Sequence, residues 1–361
     1  MDNHPYCVLM AGGRGERFWP HSRVETPKQV LKIGSDQPLL VESVERLFPL
    51  IPEENVFIST GEHLEQSFRR VLSDYPKLGW IVEPAQRDTA AAIGFALAKI
   101  RHQVQDDFVA VILGSDYRIT NPAVFRKHLE AAVRMAQEGS VVTLGIKPTR
   151  PATGYGYLRK GELVRDEDIP AYSVGEFKEK PDLQQAQEYL EVGSYLWNSG
   201  MFITSASVML AEIKKYLPDH HAGFERLASV DFDPAVTQEV FEGLPKISID
   251  FGVMEKTDRL LVLESSFNWD DLGDWRALDR IIDHDSNGNA VNGLWAGLET
   301  KNCLIVGDKT NPDRLIATLG VSDLIVVDTP DALLVCDRGA VANMKELVHH
   351  IRDKGTLQKF L

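Results

Sequence analysis

The chain opens with short apolar runs separated by longer stretches in which apolar positions recur at helical spacing. "YCVLM" (6–10), "NVFIST" (55–60), "WIVEP" (80–84) and "FVAVILG" (108–114) are rich in β-branched and aromatic residues, each closed by a turn residue, and are predicted strands. Between them, "LLVESVERLF" (39–48), "HLEQSFRRVL" (63–72) and "TAAAIGFALAKI" (89–100) carry the helical period, with Thr89 a candidate cap. Strand and helix in alternation imply right-handed crossovers and a parallel sheet covered on both faces.

From about residue 140 the rhythm changes. "GSVVTLGI", "GYGYLRKG" and "YSVGEFKEKP" predict strands with hairpin turns, and "LWNSGMFIT" a further strand. "DLQQAQEYLEVG" predicts a helix stopped by glycine. The expected fold class is therefore α/β, a Rossmann-like mixed sheet, mainly parallel, with an antiparallel excursion. The polar stretch "DHDSNGNAVNG" (283–293) is the clearest linker candidate. Beyond it, loosely repetitive short strands ("NCLIVGD", "DLIVVDT", "ALLVCD") precede a final helix, "ANMKELVHHIRDKG".

Composition narrows the partners. A chain of 361 residues with a formal charge of −14 lacks the basic face that general nucleic-acid binding needs. No apolar run reaches the length of a bilayer span, and the first residues do not read as a signal peptide, so no membrane association is expected. Cys7, Cys303 and Cys336 lie far apart, in keeping with reduced thiols and a cytoplasmic location. The histidines have no metal-ligand spacing.

One segment runs against that acidic balance. "LMAGGRGERFWPHSRVETPKQ" gathers Arg14, Arg17, Arg23 and Lys28 behind Gly12, Gly13 and Gly15, at the end of a predicted strand. Glycines there let the backbone approach a phosphate, and Pro20 and Pro27 stiffen the basic segment. The dinucleotide pattern G-x-G-x-x-G fails at Phe18, and the G-x-x-x-x-G-K-[ST] loop lacks its Lys-Ser/Thr. What remains is a phosphate loop whose charge comes from downstream side chains, set in the crevice beyond the strand ends.

The segment "AGGRGERFWPHSRVETPKQ" resembles the signature of the sugar nucleotidyltransferases. The resemblance continues in order through "EPAQRDTAAAI", "LGSDYRI", "TGYGYL", "FKEKPD", "WNSGMF", "SIDFGVMEK" and "WDDLGDW", covering residues 6 to about 275. It implies a GT-A-like catalytic domain over 1–280, and the tail resembles the family's small left-handed β-helix-like domain, expected over 290–361. The implied reaction joins GTP and mannose 1-phosphate to give GDP-mannose and pyrophosphate, with magnesium. The sugar phosphate attacks the α-phosphorus in line with the departing pyrophosphate. Two anions must meet, so neutralisation matters as much as alignment.

By the same resemblance, Gly12, Gly13 and Gly15 cradle the triphosphate, and Arg17 and Lys28 are paired catalytic cations. Asp116 and Asp271 are the expected magnesium ligands; magnesium takes one or two protein carboxylates beside substrate phosphate. Lys180 is assigned to the sugar phosphate and Glu179 to sugar hydroxyls. Asn198 suits a vicinal diol, and Gly154 and Tyr155 let the backbone approach the hexose. Glu83, Asp88 and Thr89 are candidate contacts to the base. Arg23 is a candidate for a further phosphate contact, and Arg14 receives no role.

The chain departs from the family pattern in places. "LGSDY" stands where L-P-A-D-H is usual, so Gly114 and Tyr117 are changes; Asp88 replaces an asparagine, and His21 a leucine. The alternatives are another hexose or heptose 1-phosphate, another nucleotide, or a non-catalytic sugar-nucleotide sensor. The length leaves no room for the isomerase domain of longer relatives, so transferase activity alone is expected. The resemblance is also in keeping with a homodimer.

Overall fold

The computed structural model describes residues 4–13 and 15–361; Arg14 lies outside the described residues. The first third alternates as predicted: β1 (Tyr6–Met10), α1 (Leu39–Glu45), β2 (Val56–Gly61), α2 (Glu62–Val71), β3 (Gly79–Glu83), α3 (Asp88–Val104) and β4 (Val109–Gly114). Then follow β5 (Arg118–Ile119), α4 (Pro122–Gln137), β6 (Val141–Ile146), β7 (Tyr157–Arg165), β8 (Ala171–Lys178), α5 (Leu183–Val192) and β9 (Tyr195–Ser205). One large sheet results, in the order β3-β2-β1-β4-β9-β6, continued by β10 (Leu260–Glu264), β8 and β7. The pairings make β8 and β9 run against the other strands of this sheet, so it is mixed but mostly parallel.

β1 sits inside the sheet with Cys7, Val8 and Leu9 wholly buried, flanked in parallel by β2 and β4. Both faces are covered by apolar clusters, which is why these strands read as continuous apolar runs rather than alternating ones. Met10 lies opposite Gly114, so the glycine loop after β1 and Asp116 after β4 leave the sheet side by side.

Three differences from the sequence pattern matter. The segment after β9, for which the pattern named no element, folds as α6 (Ala206–Tyr216), α7 (Pro218–Ala228) and α8 (Pro234–Gly243). Capping by Ser205 and Asp233, and prolines at the starts of α7 and α8, set these boundaries. Thr89 does not cap α3: the helix begins at Asp88, and the Thr89 hydroxyl instead accepts from the Ile249 N–H at 2.8 Å. The polar stretch 283–293 is no free linker. Asp285 accepts from the Asn287 and Asn289 amides, and Asn289 bridges Asp285, the Thr300 carbonyl and the Cys303 amide.

Following β11 (Trp269–Asp270) and α9 (Trp275–Ile281), that turn delivers the chain into a set of short strands. These are β12 (Ala290–Asn292), β13 (Trp295–Leu298), β14 (Leu304–Val306), β15 (Ile316–Leu319), β16 (Leu324–Asp328) and β17 (Leu333–Asp337). β12, β14 and β16 stack in parallel, as do β13 and β15, forming a C-terminal β-helix-like domain. β17 folds back antiparallel, and α10 (Met344–Asp353) follows.

The C-terminal domain does not bury its apolar residues alone. Leu304, Val306, Ile325, Val327, Met344, Val348 and Ile351 share one cluster with Phe18, Trp19, Leu39, Leu272 and Trp275. The basic segment behind the glycine loop is thus sandwiched between the two parts. Polar ties reinforce it: Trp19 Nε1 donates to the Phe360 carbonyl at 2.8 Å, and Trp275 Nε1 to that of Trp19 at 3.0 Å. Arg23 pairs with Asp331 at 2.7 Å and also bonds the Phe360 carbonyl. It therefore pins the C-terminus and lines neither of the cavities described below, contrary to the phosphate contact the sequence allowed.

Leu304→Ala should cost about 2–5 kcal/mol, the usual penalty for a buried large-to-small change. Because the cluster is shared, calorimetry should show one cooperative transition shifted downward. Selective melting of the C-terminal domain, with the remainder unshifted, would contradict the shared core.

Candidate active site

An open cavity of about 470 Å³ lies beyond the ends of β1 and β4, within the range of small-ligand sites. Among its walls are Gly13, Gly15, Arg17, Lys28, Asp116, Gly154, Tyr155, Glu179, Asn198 and Asp271. Lys180 lines an adjoining cavity that shares Arg17, Gly154, Tyr155 and Asp271 with the first. Residues spread over the first three-quarters of the chain therefore meet at one place.

Lys28 is the centre of the arrangement. It is only 4% exposed, and its ammonium donates to the Asp271 carbonyl at 2.9 Å and lies 3.3 Å from Asp116 Oδ2. Gly15 makes this position possible. Its φ is +66°, and a Cβ there would fall 2.3 Å from the Lys28 Cβ and 3.0 Å from the Lys28 amide. The glycine is required by close packing against Lys28 as much as by the loop's turn. Ser22 Oγ donates to the Gly15 carbonyl at 2.7 Å, and Gln29 Nε2 to that of Gly13 at 3.0 Å. These bonds fix the loop over the basic segment.

Asp271 reaches Asp116 through a short antiparallel pair, β5 with β11, in which Ile119 faces Trp269 and Arg118 faces Asp270. Asp271 Oδ1 accepts from Tyr155 Oη at 2.6 Å and from the Gly273 amide at 3.2 Å. Burial nevertheless pushes its carboxyl above the ordinary range, against the opposing effects of Tyr155 and Lys28. Burial, then the Asp271 charge, keeps the Tyr155 phenol protonated and able to donate. Tyr155 is held edge-on against Trp197 and Trp269, and Arg150 packs over its ring and donates to its oxygen at 3.1 Å.

The opposite group of polar residues is acidic. Glu179 pairs with Lys180 at 2.7 Å, while Lys180 holds an unusual φ of +47°. Asp250, half-buried and lining the same cavity, accepts from Asn198 Nδ2 at 2.9 Å. Burial first, and the Glu179 charge second, raise its carboxyl to about 6. Asn198 Oδ1 is already engaged by Thr143 Oγ1 and the Gly200 amide. The amide read as a diol contact is therefore largely committed to the protein, and Asp250 stands beside it facing the cavity.

The sequence reading missed Asp250, although it lies in the quoted "SIDFGVMEK". The signal was a carboxylate set among the apolar residues Ile249, Phe251, Val253 and Met254. It sits at the start of a wide π-type turn, Asp250–Met254, whose Glu255 amide reaches back to the Asp250 carbonyl at 3.0 Å. Arg150 was also missed, and nothing short of the tertiary contacts marks it.

Gly12, Glu83, Asp88 and Thr89 do not line either cavity. Gly12 stands at the loop's rim, its carbonyl accepting from Gln86 Nε2 at 3.4 Å. Glu83 is buried and accepts from Ser59 Oγ at 3.1 Å, while the Ser59 carbonyl takes the Ala11 amide. Thr89 and Arg87 brace the segment leading to Asp250: Thr89 through Ile249, and Arg87 through the Phe241 and Glu242 carbonyls. Asp88 is exposed and bonds only its neighbour's amide among the described residues. Two of the departures from the family pattern, Gly114 and Tyr117, fit one another. A Cβ at Gly114 would lie 3.2 Å from both Asp116 Oδ1 and the Tyr117 ring, so the larger Tyr117 goes with the smaller residue 114.

Comparison with known proteins identifies the class. Residues 6–288 match the nucleotidyl transferase family model, and residues 293–351 match the mannose-phosphate isomerase/GMP-like β-helix domain. The chain belongs to the nucleotidyl transferase family and is an enzyme of that kind. Within it, the chain is 38% identical to mannose-1-phosphate guanylyltransferase of Escherichia coli K12, covering 97% of this chain and 74% of that protein. It is likewise 38% identical to the corresponding enzyme of Salmonella typhimurium, at the same coverage. A solved structure from Thermus thermophilus, named mannose-1-phosphate geranyltransferase, superposes with a TM-score of 0.84 at 36% identity, covering 97% of this chain and 99% of that one.

Burial raises the Glu83 carboxyl from 4.5 to about 7, so the folded protein keeps a proton that the unfolded chain has lost. The associated stability is complete below the unfolded value, declines between pH 4.5 and 7, and is gone above it. Glu83→Gln should flatten that decline and gain up to about 3 kcal/mol at pH 8 relative to the parent. Denaturant titrations at pH 5 and 8 check this; an identical pH dependence in both proteins would refute it.

Proposed function

We propose that the protein transfers GMP from GTP to α-D-mannose 1-phosphate, giving GDP-mannose and pyrophosphate. The observation that carries this reading is the convergence of Lys28, Asp116, Asp271 and the glycine loop with Glu179, Asn198 and Asp250 in one cavity. The named activities of the Escherichia coli and Salmonella relatives support the choice of substrates.

The glycine loop and Arg17 hold the triphosphate, and Lys28 lies against the transferred α-phosphate, where negative charge accumulates as the sugar phosphate attacks. Lys180 receives the phosphate of the sugar. Glu179 and Asp250 accept hydrogen bonds from hexose hydroxyls across the backbone of Gly154 and Tyr155. For the guanine donors, exposed Asp88 is the acceptor we propose; Glu83 and Thr89 act through the backbone they brace. We further propose a catalytic unit over 1–280 and a C-terminal unit over 290–361, sharing the core around Phe18.

Magnesium fits the donor set. Asp116 and Asp271 would hold it: two carboxylates suffice when phosphate oxygens complete the shell, and a cation would offset the burial that opposes ionisation of Asp271. The ion would supply neutralisation of the phosphate oxygens. Before it binds, Lys28 and the Tyr155 hydroxyl occupy the two carboxylates' neighbourhood and keep them in place.

A pyrophosphate-release screen of four nucleotides against several hexose 1-phosphates, with and without magnesium, tests the reading. GTP with mannose 1-phosphate and magnesium should be the preferred combination; preference for another pair would reassign the substrates, and silence throughout would reject the reaction. Lys28→Ala should lower kcat roughly a hundredfold or more, as for loss of an oxyanion donor. Nucleotide binding measured by fluorescence should largely survive. Asp271→Asn should shift the magnesium titration to higher concentration, and an unchanged curve would remove it as a ligand.

A further inference from the structure

We infer that Lys345, on the first turn of α10, contacts the terminal phosphates of the nucleotide, the portion that leaves as pyrophosphate. The inference rests on the reaction just proposed and extends the active site into the C-terminal domain. Lys345 lines the cavity together with Gly13, Gly15, Arg17 and Lys28.

Its placement is fixed by packing. Met344 and Val348, on either side of it along the helix, are buried in the shared cluster. Arg352, seven residues on and hence on the same face, pairs with Glu16 at 2.8 Å. Glu16 is the acidic wall residue that precedes Arg17. Because Arg352 holds it, Lys345 is left without an ion pair or hydrogen bond among the described residues.

Two electrostatic features agree. A lysine in the first turn opposes the helix dipole, and the start of α10 has no side-chain cap. An anion in the cavity would compensate both. Lys28 is occupied at the centre by Asp116 and the Asp271 carbonyl. Arg17 sits on the turn Glu16–Phe18, which packs against α10. Arg17 and Lys345 are thus two cations on adjoining elements, facing the glycine loop, where the terminal phosphates extend beyond the transferred one.

The test uses the full chain with Lys345→Ala, Lys345→Arg, and Lys354→Ala at the far end of the same helix as control. In the reverse reaction, Lys345→Ala should raise the KM for pyrophosphate about tenfold or more, the loss of one charge-assisted bond. The KM for GDP-mannose should stay within about twofold. Lys345→Arg should recover most of the loss, and all three variants should melt with the parent because the position is exposed. Calorimetric binding of magnesium pyrophosphate, which needs no turnover, should weaken by the same factor. Unchanged pyrophosphate binding in Lys345→Ala, or equal changes for both substrates, overturns the assignment. A parent that binds pyrophosphate in a Lys345-dependent way yet exchanges it with no sugar nucleotide would overturn the proposed reaction instead.

Discussion

A nearly buried ammonium, that of Lys28, has to be held at the wall of the cavity beyond β1 and β4. Desolvating such a charge is costly unless it is paired, and here the compensation comes from one carboxylate and one backbone carbonyl contributed by distant segments. Gly15 has to be a glycine because Lys28 lies against it, Asp116 has to follow β4 because β4 neighbours β1, and β5 has to pair with β11 to bring Asp271 across. The large parallel sheet supplies the first two constraints. The small two-stranded pair supplies the third.

The second theme is that the cations of the glycine-loop segment depend on the C-terminal domain. Phe18, Trp19 and Trp275 lie in the same cluster as the β-helix-like strands and α10, while Trp19 and Arg23 bond the chain's last residues. His21 belongs to this seam as well. It meets Trp275 edge-on, and burial lowers its imidazole to about 4, so it packs there as a neutral ring. A segment held by its own turns, among them the Arg23–Thr26 pair, is thereby also fixed from outside by the C-terminal domain.

Around the cavity, opposite charges meet in close pairs, Lys28 with Asp116 and Lys180 with Glu179. The basic residues Arg17, Lys28 and Arg150 stand towards the glycine loop and the Tyr155–Asp271 pair, and Glu179, Asp250 and Asn198 form a further polar group. Asp250 and Glu179 repel each other, and that repulsion adds to burial in opposing Asp250 ionisation. Lys180 and Leu272, each next to a cavity-lining carboxylate, have φ of +47° and +45°, backbone strain of about 1–3 kcal/mol apiece.

The alternation of strands and helices, the glycine loop and the ordered motifs were legible along the chain, since β1 to β4 are buried on both faces and leave uninterrupted apolar runs. The motif residues Arg17, Lys28, Asp116, Asp271 and Glu179 could be named because the ordered motifs resemble a family's, and all five line one cavity. Other features depended on contacts between distant segments. Thr89 and Glu83 carry the residue types of ligand contacts, but neighbouring elements turned them to the protein's own backbone and to Ser59. Asp250, Arg150 and Lys345 have unremarkable local surroundings; only the packing of the π-type turn and α10 brings Asp250 and Lys345 to the cavity, and the Tyr155–Trp197 pair Arg150 to the adjoining one. Local sequence encodes backbone preference and apolar period; which polar side chain remains free for a ligand is decided by which partners the fold places beside it.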